Sequence, residues 1–411
     1  MRGLQGKSNQ EAGEQKPSIA SPRERGIALL VVLSFVIVLV VLASAFAINM
    51  QVEAKLARRA DAGSELEWVC RSAVELSKYV LSQQAANAQE PYDSLSQSWA
   101  GGPGSTNGFN LFFDTLNLTN SDWAPGTVLG LMYPEDAAST ADQQAKLDDV
   151  KENWQCSVQI MDMERKFNIN RAAGKQMGRT PLQRTFDMMG VDVSLIPYLV
   201  DAIFDWCDKD DNIGVNGVES EYYENLFPVG YRAKNGPIDD LRELLLIKDI
   251  TPEMYWGNAE NSLAAGTPPT PLEEGAESLN YNYALVDLFT PLSAGYININ
   301  TASAEVLQLA PMPGDPAVTA EEIIRVRSGL DGIDGTYDDE PFDNVRQLQQ
   351  VQAYAASPTW LADASRYFSV RSSTFQVKVT ASVRGQQRVF VAVLQRKSKT
   401  EIPILYTYWE S

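Results

Sequence analysis

Residues 27–48 form an unbroken apolar run in which Ser34 and Ser44 are the polar exceptions and no charge appears. A helix rises ~1.5 Å per residue against a hydrocarbon core of ~30 Å, so the run predicts a membrane-spanning helix over 27–50. The helical pattern continues beyond it. From Gln51 to Gln84 there is no proline, and Val52, Leu56, Leu66, Cys70, Ala73, Val74, Ser77, Val80 and Leu81 return at three- and four-residue spacing. Arg58, Arg59, Glu65, Glu67, Arg71 and Lys78 fall on the other side. One long helix is predicted, bare in lipid at first and then, over 51–90, packed on a domain.

At the carboxyl end the period changes to two. Phe375, Val377, Val379, Ala381 and Val383 alternate with Gln376, Lys378, Thr380, Ser382 and Arg384, which predicts a strand. After a turn at Gly385-Gln386-Gln387, Arg388 to Leu394 is apolar on both faces and reads as a central strand. Two shorter strands are predicted at 156–160 and 167–170. The stretch between these pairs reads mostly as helices, at 182–189, 195–206, 238–247, 302–309, 320–326 and 344–351. The expected fold is therefore α+β: a long amino-terminal transmembrane helix plus a small antiparallel sheet from 91–170 and 367–411, with a mainly α-helical domain inserted at 171–366. Within the insert, Gly236-Pro237-Ile238-Asp239-Asp240-Leu241-Arg242-Glu243-Leu244 realigns with Glu340-Pro341-Phe342-Asp343-Asn344-Val345-Arg346-Gln347-Leu348. The match predicts two related helical subdomains, although proline followed by an acid is also a common helix start. Gly101 to Ser105 and Gly266 to Pro271 read as spacers.

Charge orients this plan. With 34 basic and 53 acidic residues the formal charge is 34 − 53 = −19. Residues 1–26 carry five basic and three acidic groups, net +2, so the remainder carries −19 − 2 = −21. Lysine and arginine favour the cytoplasmic side, which leaves the acidic bulk outside. The chain has no histidine, which excludes Ser-His-Asp and Cys-His nucleophile activation, a histidine base and the histidine-containing zinc sites, so a non-enzymatic role is expected. Cys70, Cys156 and Cys207 allow one disulfide with a free thiol, or none.

Arg23-Glu24-Arg25-Gly26 stands directly before Ile27-Ala28-Leu29-Leu30, without the cleavage site of a plain signal peptide. The junction resembles a type IV prepilin signal, in which a prepilin peptidase cuts after the glycine; an ordinary single-pass anchor with a basic flank is the other reading. The resemblance implies a leader over 1–26, processing between Gly26 and Ile27, and methylation of Ile27. The fifth residue of the processed chain is usually glutamate in such proteins, and here it is Val31. A carboxylate in hydrocarbon is costly unless partnered, so a subunit that never docks beneath an earlier one can dispense with it.

Six carboxylates, Asp205, Asp208, Asp210, Asp211, Glu219 and Glu221, gather around a glycine-containing loop. Their repulsion would be relieved by a hard cation with oxygen ligands, although a solvated acidic helix end has the same composition and the spacing is not that of an EF-hand. A second candidate is Asp331, Asp334, Asp338 and Asp339, interleaved with Gly332 and Gly335 in a pattern that also suits ordinary turns.

In order along the chain, the prepilin junction with Val31, the run Asp201 to Asp211, Gly217 to Tyr223, Pro237 to Leu246 followed by Thr251 to Tyr255, and Ile299-Asn300-Thr301-Ala302 resemble the minor pseudopilin K family of type II secretion systems. The likeness extends from residue 23 to about 395. It implies a single-pass protein of the bacterial inner membrane with a cytoplasmic amino terminus and a periplasmic domain. Its implied place is the tip of the periplasmic pseudopilus, supporting export of folded proteins across the outer membrane. The implied partners are minor pseudopilins I and J, the major pseudopilin filament, the prepilin peptidase and membrane lipid. It also implies Ca²⁺ in the α-domain. Val52, Leu56 and Leu66 on the extramembrane helix are the expected contacts for I and J. A tip minor pilin of a related type IV pilus or competence system is an alternative.

Ile299 to Leu307 is also similar to the start of a helix-hairpin-helix, which makes a single-pass DNA-binding envelope protein the rival from another class. Such a hairpin offers backbone amides to phosphates. The corresponding turn here, Pro311-Met312-Pro313-Gly314-Asp315-Pro316, holds three prolines and an aspartate, so nucleic acid is not expected as a partner.

Overall fold

The computed structural model describes residues 22–103, 154–174, 177–257 and 281–410. The leader as far as residue 21, Gly104-Ser105 and the Gly266 to Pro271 spacer lie outside them. The chain divides into two compact units, Met1–Ser64 and Glu65–Ser411, and helix α1, Pro22–Ala86, contributes to both.

In the first unit every side chain from Leu29 to Met50 is exposed, and α1 is long and apolar enough to cross a membrane. Its hydroxyls are satisfied internally: Ser34 donates to the Leu30 carbonyl at 2.8 Å and Ser44 to that of Val40 at 2.7 Å. No polar group in the run is left for lipid to solvate.

In the second unit the later turns of α1 carry a buried stripe of Leu66, Val69, Cys70, Ala73, Val74, Ser77 and Leu81. The spacing of these residues alone makes one face of a helix. An ion pair between Arg384 and Glu65 at 2.9 Å and a bond from Ser82 Oγ to the Lys399 carbonyl at 2.5 Å fasten the helix to the carboxyl-terminal strands.

Among the described residues eight strands form three sheets: β1 (Trp154–Asp162), β2 (Phe167–Asn168), β3 (Phe289–Thr290), β4 (Ile297–Asn298), β5 (Phe368–Ser369), β6 (Thr374–Val383), β7 (Gln386–Gln395) and β8 (Ile404–Glu410). The main sheet is antiparallel in the order β1-β6-β7-β8. Phe375, Val377, Val379, Ala381 and Val383 are all buried, and Phe390 to Leu394 is buried on both faces, in a strand that lies between β6 and β8. The hairpin turn is at Arg384-Gly385, one residue earlier than predicted, with both residues at positive φ. Strand β8 was not predicted. Ile404, Tyr406 and Tyr408 and the intervening Leu405 and Trp409 are all exposed, so no alternation of apolar and polar residues marks it.

Everything between β1 and β6, two adjacent strands, is the insert. Helices α2 (Thr180–Met189) and α3 (Ile196–Cys207) are answered later by α4 (Ala304–Leu309) and α5 (Pro316–Arg327). The repetition extends further than the matched nonapeptides. Phe167-Asn168-Ile169-Asn170 and Ile297-Asn298-Ile299-Asn300 each begin as a two-residue strand, paired in parallel with β3 and β5 respectively. The Asn170 side chain exchanges two hydrogen bonds with the Ile238 backbone, at 2.8 and 2.6 Å. Asn300 does the same with Phe342, at 2.9 Å each. Asp240 and Asn344 then cap the following turns by accepting from the Arg242 and Arg346 amides. Shared capping is thus one part of a longer shared arrangement.

Two expectations are corrected. The segments predicted as helices at 238–247 and 344–351 are six-residue 3₁₀ turns, Leu241–Leu246 and Val345–Gln350, closed by i→i+3 bonds such as Ile247 to Leu244. Capped short pieces favour that tighter winding. The strand predicted at 167–170 ends at Asn168, whose side chain accepts from the Arg171 amide and starts a helical turn, Ile169–Ala172. All three cysteines are free, and burial pushes the Cys70, Cys156 and Cys207 thiols up to about 12, as expected of packing residues.

Candidate functional site

Helix α3 is apolar on the side of Leu199, Val200, Ile203 and Trp206, and burying that side carries Asp201 and Asp205 inside with it. The following loop returns to satisfy them. Gly214 donates its amide to Asp205 Oδ2 at 3.0 Å, Asn216 donates backbone and side-chain N–H groups to Asp201 Oδ2 at 3.2 and 3.0 Å, and Arg179 pairs with Asp201. Gly217 permits this closure, for a Cβ there would stand 1.9 Å from Asp205 Oδ2. The loop ends on Glu219, which is 2% exposed and whose two carboxylate oxygens have no hydrogen-bond partner among the described residues. Tyr223 packs behind it between Trp206 and Tyr231, with ring centroids 5.3 and 5.4 Å away.

The electrostatics follow from that placement. Burial, and then the charges of Asp205, Asp208, Asp211 and Asp210, push the Glu219 carboxyl up to about 7. Burial also raises Asp205, against the lowering effect of the Gly214 amide. Glu219 is thus a buried carboxylate among like charges with no hydrogen-bond partner among the described residues, which is the condition a hard cation relieves. Glu219 and Asp205 are the pair that would hold it, with Asp208, Asp210 and Asp211 adding charge from the loop. Among the described residues no three acidic or thiol groups converge as a ready-made cage. Asp211 already accepts from Ser220 and Asn235, and Glu221 points to solvent on the short helix Ser220–Glu224.

The second acidic loop is arranged differently from the expected cation wrap. Asp338 accepts from the Leu330 and Asp331 amides and from Thr336 Oγ1, and these bonds hold its carboxyl below the usual range. Asp339 accepts from Gly335 and Thr336, and Asp331 from Ile333. Asp334 binds Arg327 in a two-pronged ion pair at 2.9 and 2.6 Å. The loop's own amides and one guanidinium thus engage these carboxylates.

Arg327 had no signal in the sequence. It ends α5, is 3% exposed, and besides Asp334 donates from Nη1 to the Ile299 and Ala302 carbonyls at 2.7 Å each. It therefore ties the second acidic loop to the Asn298 to Ala302 turn. In the hairpin between α4 and α5 Met312 is buried, Thr319 donates to the Pro313 carbonyl, and the exposed Asp315 accepts from Ala317 at the start of α5.

Of the three residues expected to meet partners, Val52 and Leu56 are exposed at 50% and 58%, while Leu66 is fully buried. Leu66 is corrected to a core residue, because it begins the stripe that continues through Cys70 and Ala73. Val31 is exposed, in keeping with a face that meets lipid. The side chains of Gly26 and Ile27 lie outside the described residues.

A family profile described as "Type II secretion system (T2SS), protein K" matches residues 165–257, which is the first half of the insert with its acidic loop. Curated proteins named type II secretion system protein K are similar over longer spans. That of Pseudomonas aeruginosa is 26% identical over 63% of this chain and 66% of its own length. That of Pectobacterium carotovorum is 24% identical over 74% of this chain and 86% of its own. Over these spans the chain is similar to the protein K family of type II secretion systems. In fold, it resembles a chain in the crystal structure of the GspK-GspI-GspJ complex from the enterotoxigenic Escherichia coli type 2 secretion system, with a TM-score of 0.56, 16% identity, and coverage of 86% of this chain and 99% of that one. The family's α+β architecture, with an apolar amino-terminal helix and a small antiparallel sheet, is the one predicted from the residue pattern. Asp205, Glu219 and Tyr223 all fall within the segment that the family profile covers.

Proposed function

We propose that this protein is a non-enzymatic minor pseudopilin that caps the periplasmic pseudopilus of a type II secretion system and supports export of folded proteins through the outer membrane. One observation carries the reading: the domain matched by the family is spliced between β1 and β6, adjacent strands of a sheet packed on the later turns of α1. A helical filament has neighbours above and below each subunit, and an insert of that bulk suits the top position. Val31, without a carboxylate to offer a preceding subunit, supports the same place.

Minor pseudopilins I and J are the proposed partners, as in the complex named for the structural relative. Their proposed contact is the exposed side of α1 around Val52 and Leu56. Replacing both with glutamate is expected to abolish co-purification with I and J while leaving the fold intact. Undiminished complex would sink this contact. The same change at Leu66 is expected to unfold the second unit and so has no value as a docking test.

The proposed topology is single-pass in the inner membrane, with the acidic domain periplasmic and the chain processed after Gly26. Intact mass measured with and without a prepilin peptidase is expected to give a chain starting at methylated Ile27 only with the enzyme. Retention of residues 1–26 under both conditions would make the helix an ordinary anchor. Calcium is the proposed cation of the first acidic loop, held by Glu219 and Asp205.

A further inference from the structure

Both ends of the insert meet at one buried carboxylate. Asp162 closes β1, where the chain leaves the sheet, and Ser372 stands just before β6, where it returns. Asp162 is 1% exposed, and its Oδ2 accepts from Ser372 Oγ at 2.5 Å and from Thr301 Oγ1 at 2.7 Å. Asn298 completes the group. Its Nδ2 donates to Ser372 Oγ at 2.8 Å and to the Asp93 carbonyl at 3.1 Å, and lies 3.5 Å from Asp162 Oδ2. One carboxylate thus joins the end of β1, the Asn298 to Ala302 turn and the segment before β6, and through Asn298 the segment that follows α1.

The other oxygen of Asp162, Oδ1, is buried and has no hydrogen-bond partner among the described residues. Three nearby arginines are engaged elsewhere: Arg396 pairs with Asp93, Arg371 donates to the Pro91 carbonyl, and Arg327, which reaches the same turn, pairs with Asp334. Arg165, in the 3₁₀ turn after β1, favours the ionised form of Asp162, while Asp93 and Glu164 oppose it. Burial, the largest influence, pushes the Asp162 carboxyl up against Arg165 and the Ser372 and Thr301 hydroxyls. An enclosed carboxylate with a bare oxygen is costly, and its neutral form less so.

We propose that Asp162 is a proton-operated latch: carrying a proton it keeps both ends of the insert and the Asn298 to Ala302 turn closed together, and losing the proton opens that junction while the sheet stays folded. The backbone ladders that hold β6 between β1 and β7 do not involve this side chain, so the junction can open as a local unit. The insert is then held tightly in acid and loosens as pH rises, the sign that a raised carboxyl requires.

The test is hydrogen exchange of the full chain in detergent, resolved to single amides from acid to alkaline pH and corrected for each amide's intrinsic rate. It is made on the unaltered chain and on E164Q, which removes the neighbouring titration, each with and without D162N. Asparagine keeps an oxygen for Ser372 and Thr301 but cannot ionise. The Ser372 amide, bound to Asp93, and the Thr301 amide, bound to the Asn298 carbonyl, are expected to lose protection by up to about tenfold per pH unit while the closed form keeps its proton. D162N is expected to abolish that loss, and the Val377 and Val391 amides of the sheet to exchange more slowly than the junction throughout. Protection that does not change with pH, a loss that survives in D162N, or sheet amides that exchange together with the junction would overturn the proposal. Should D162N fail to fold, infrared spectra of E164Q/E219Q decide. A protonated-carboxyl band that disappears over the pH range in which the junction loses protection is expected, and absence of that band overturns the latch.

Discussion

Replacing Arg327 with methionine is expected to destabilise the second unit by about 3–5 kcal/mol, the cost of breaking a buried ion pair from one side. The guanidinium is 3% exposed and makes four hydrogen bonds, two to the Asp334 carboxylate and two to the Ile299 and Ala302 carbonyls. Methionine fills similar volume but leaves both carbonyls and the carboxylate unmatched. Against a total stability of about 5–15 kcal/mol, that is a large fraction. Thermal unfolding of R327M in detergent measures it. Lysine keeps the charge but not the planar fork, and is expected to recover only part of the loss. A melting temperature equal to that of the unaltered chain would show that the second acidic loop does not depend on Arg327.

The second large effect is on pH and calcium together. Glu164 and Glu219 have ordinary values of 4.5 and are both pushed up to about 7, by burial first in each case. At these two positions the folded chain therefore holds protons that the unfolded chain releases, and their contribution to stability falls as pH rises from about 4.5 to about 7. For Glu164, the more thoroughly enclosed group, that range corresponds to about 3 kcal/mol. Unfolding measured across the range in a chelator is expected to show the decline, and E164Q to flatten it. An undiminished slope in E164Q would remove Glu164 as its source. Calcium is expected to counter the Glu219 part, because a bound cation favours the ionised carboxylate. At a hundredfold excess over its dissociation constant a ligand contributes about 2.7 kcal/mol. E219Q is expected to abolish that response while keeping the fold; a calcium shift that survives in E219Q would end the assignment of this loop.

Much of the architecture was legible because it is written in local periods. Three- and four-residue spacing from Val52 to Leu81 requires a helix with one buried side, and alternation from Phe375 to Val383 requires a strand. The apolar stretch from Ile27 to Ile48 needs no partner to be read. The acidic residues of the first loop were also visible, as was the glycine-rich character of the second. Their different fates were not, because each depends on what the fold brings against it. Glu219 ends near Asp205 with no hydrogen-bond partner among the described residues, whereas Asp334 meets Arg327. The two halves of the insert were recognised from a single nonapeptide pair; the Asn170 and Asn300 bridges reveal the longer repeat, since only contact over many intervening residues gives those asparagines a common role.

Leu66 illustrates the limit of periodicity. On a helical wheel it lies near Val52 and Leu56, and nothing in the spacing says where a lipid- or partner-facing surface becomes a core. That boundary exists only once the sheet has formed. Strand β8 was missed for the complementary reason, as both of its faces are exposed and carry aromatic residues. The sequence alone therefore determined the apolar helix, its packed continuation, the central hairpin and the acid-rich loops, all of them consequences of charge, hydropathy and period. The tertiary structure decided which carboxylates are neutralised and which leucine is available, because each is settled by neighbours distant in sequence.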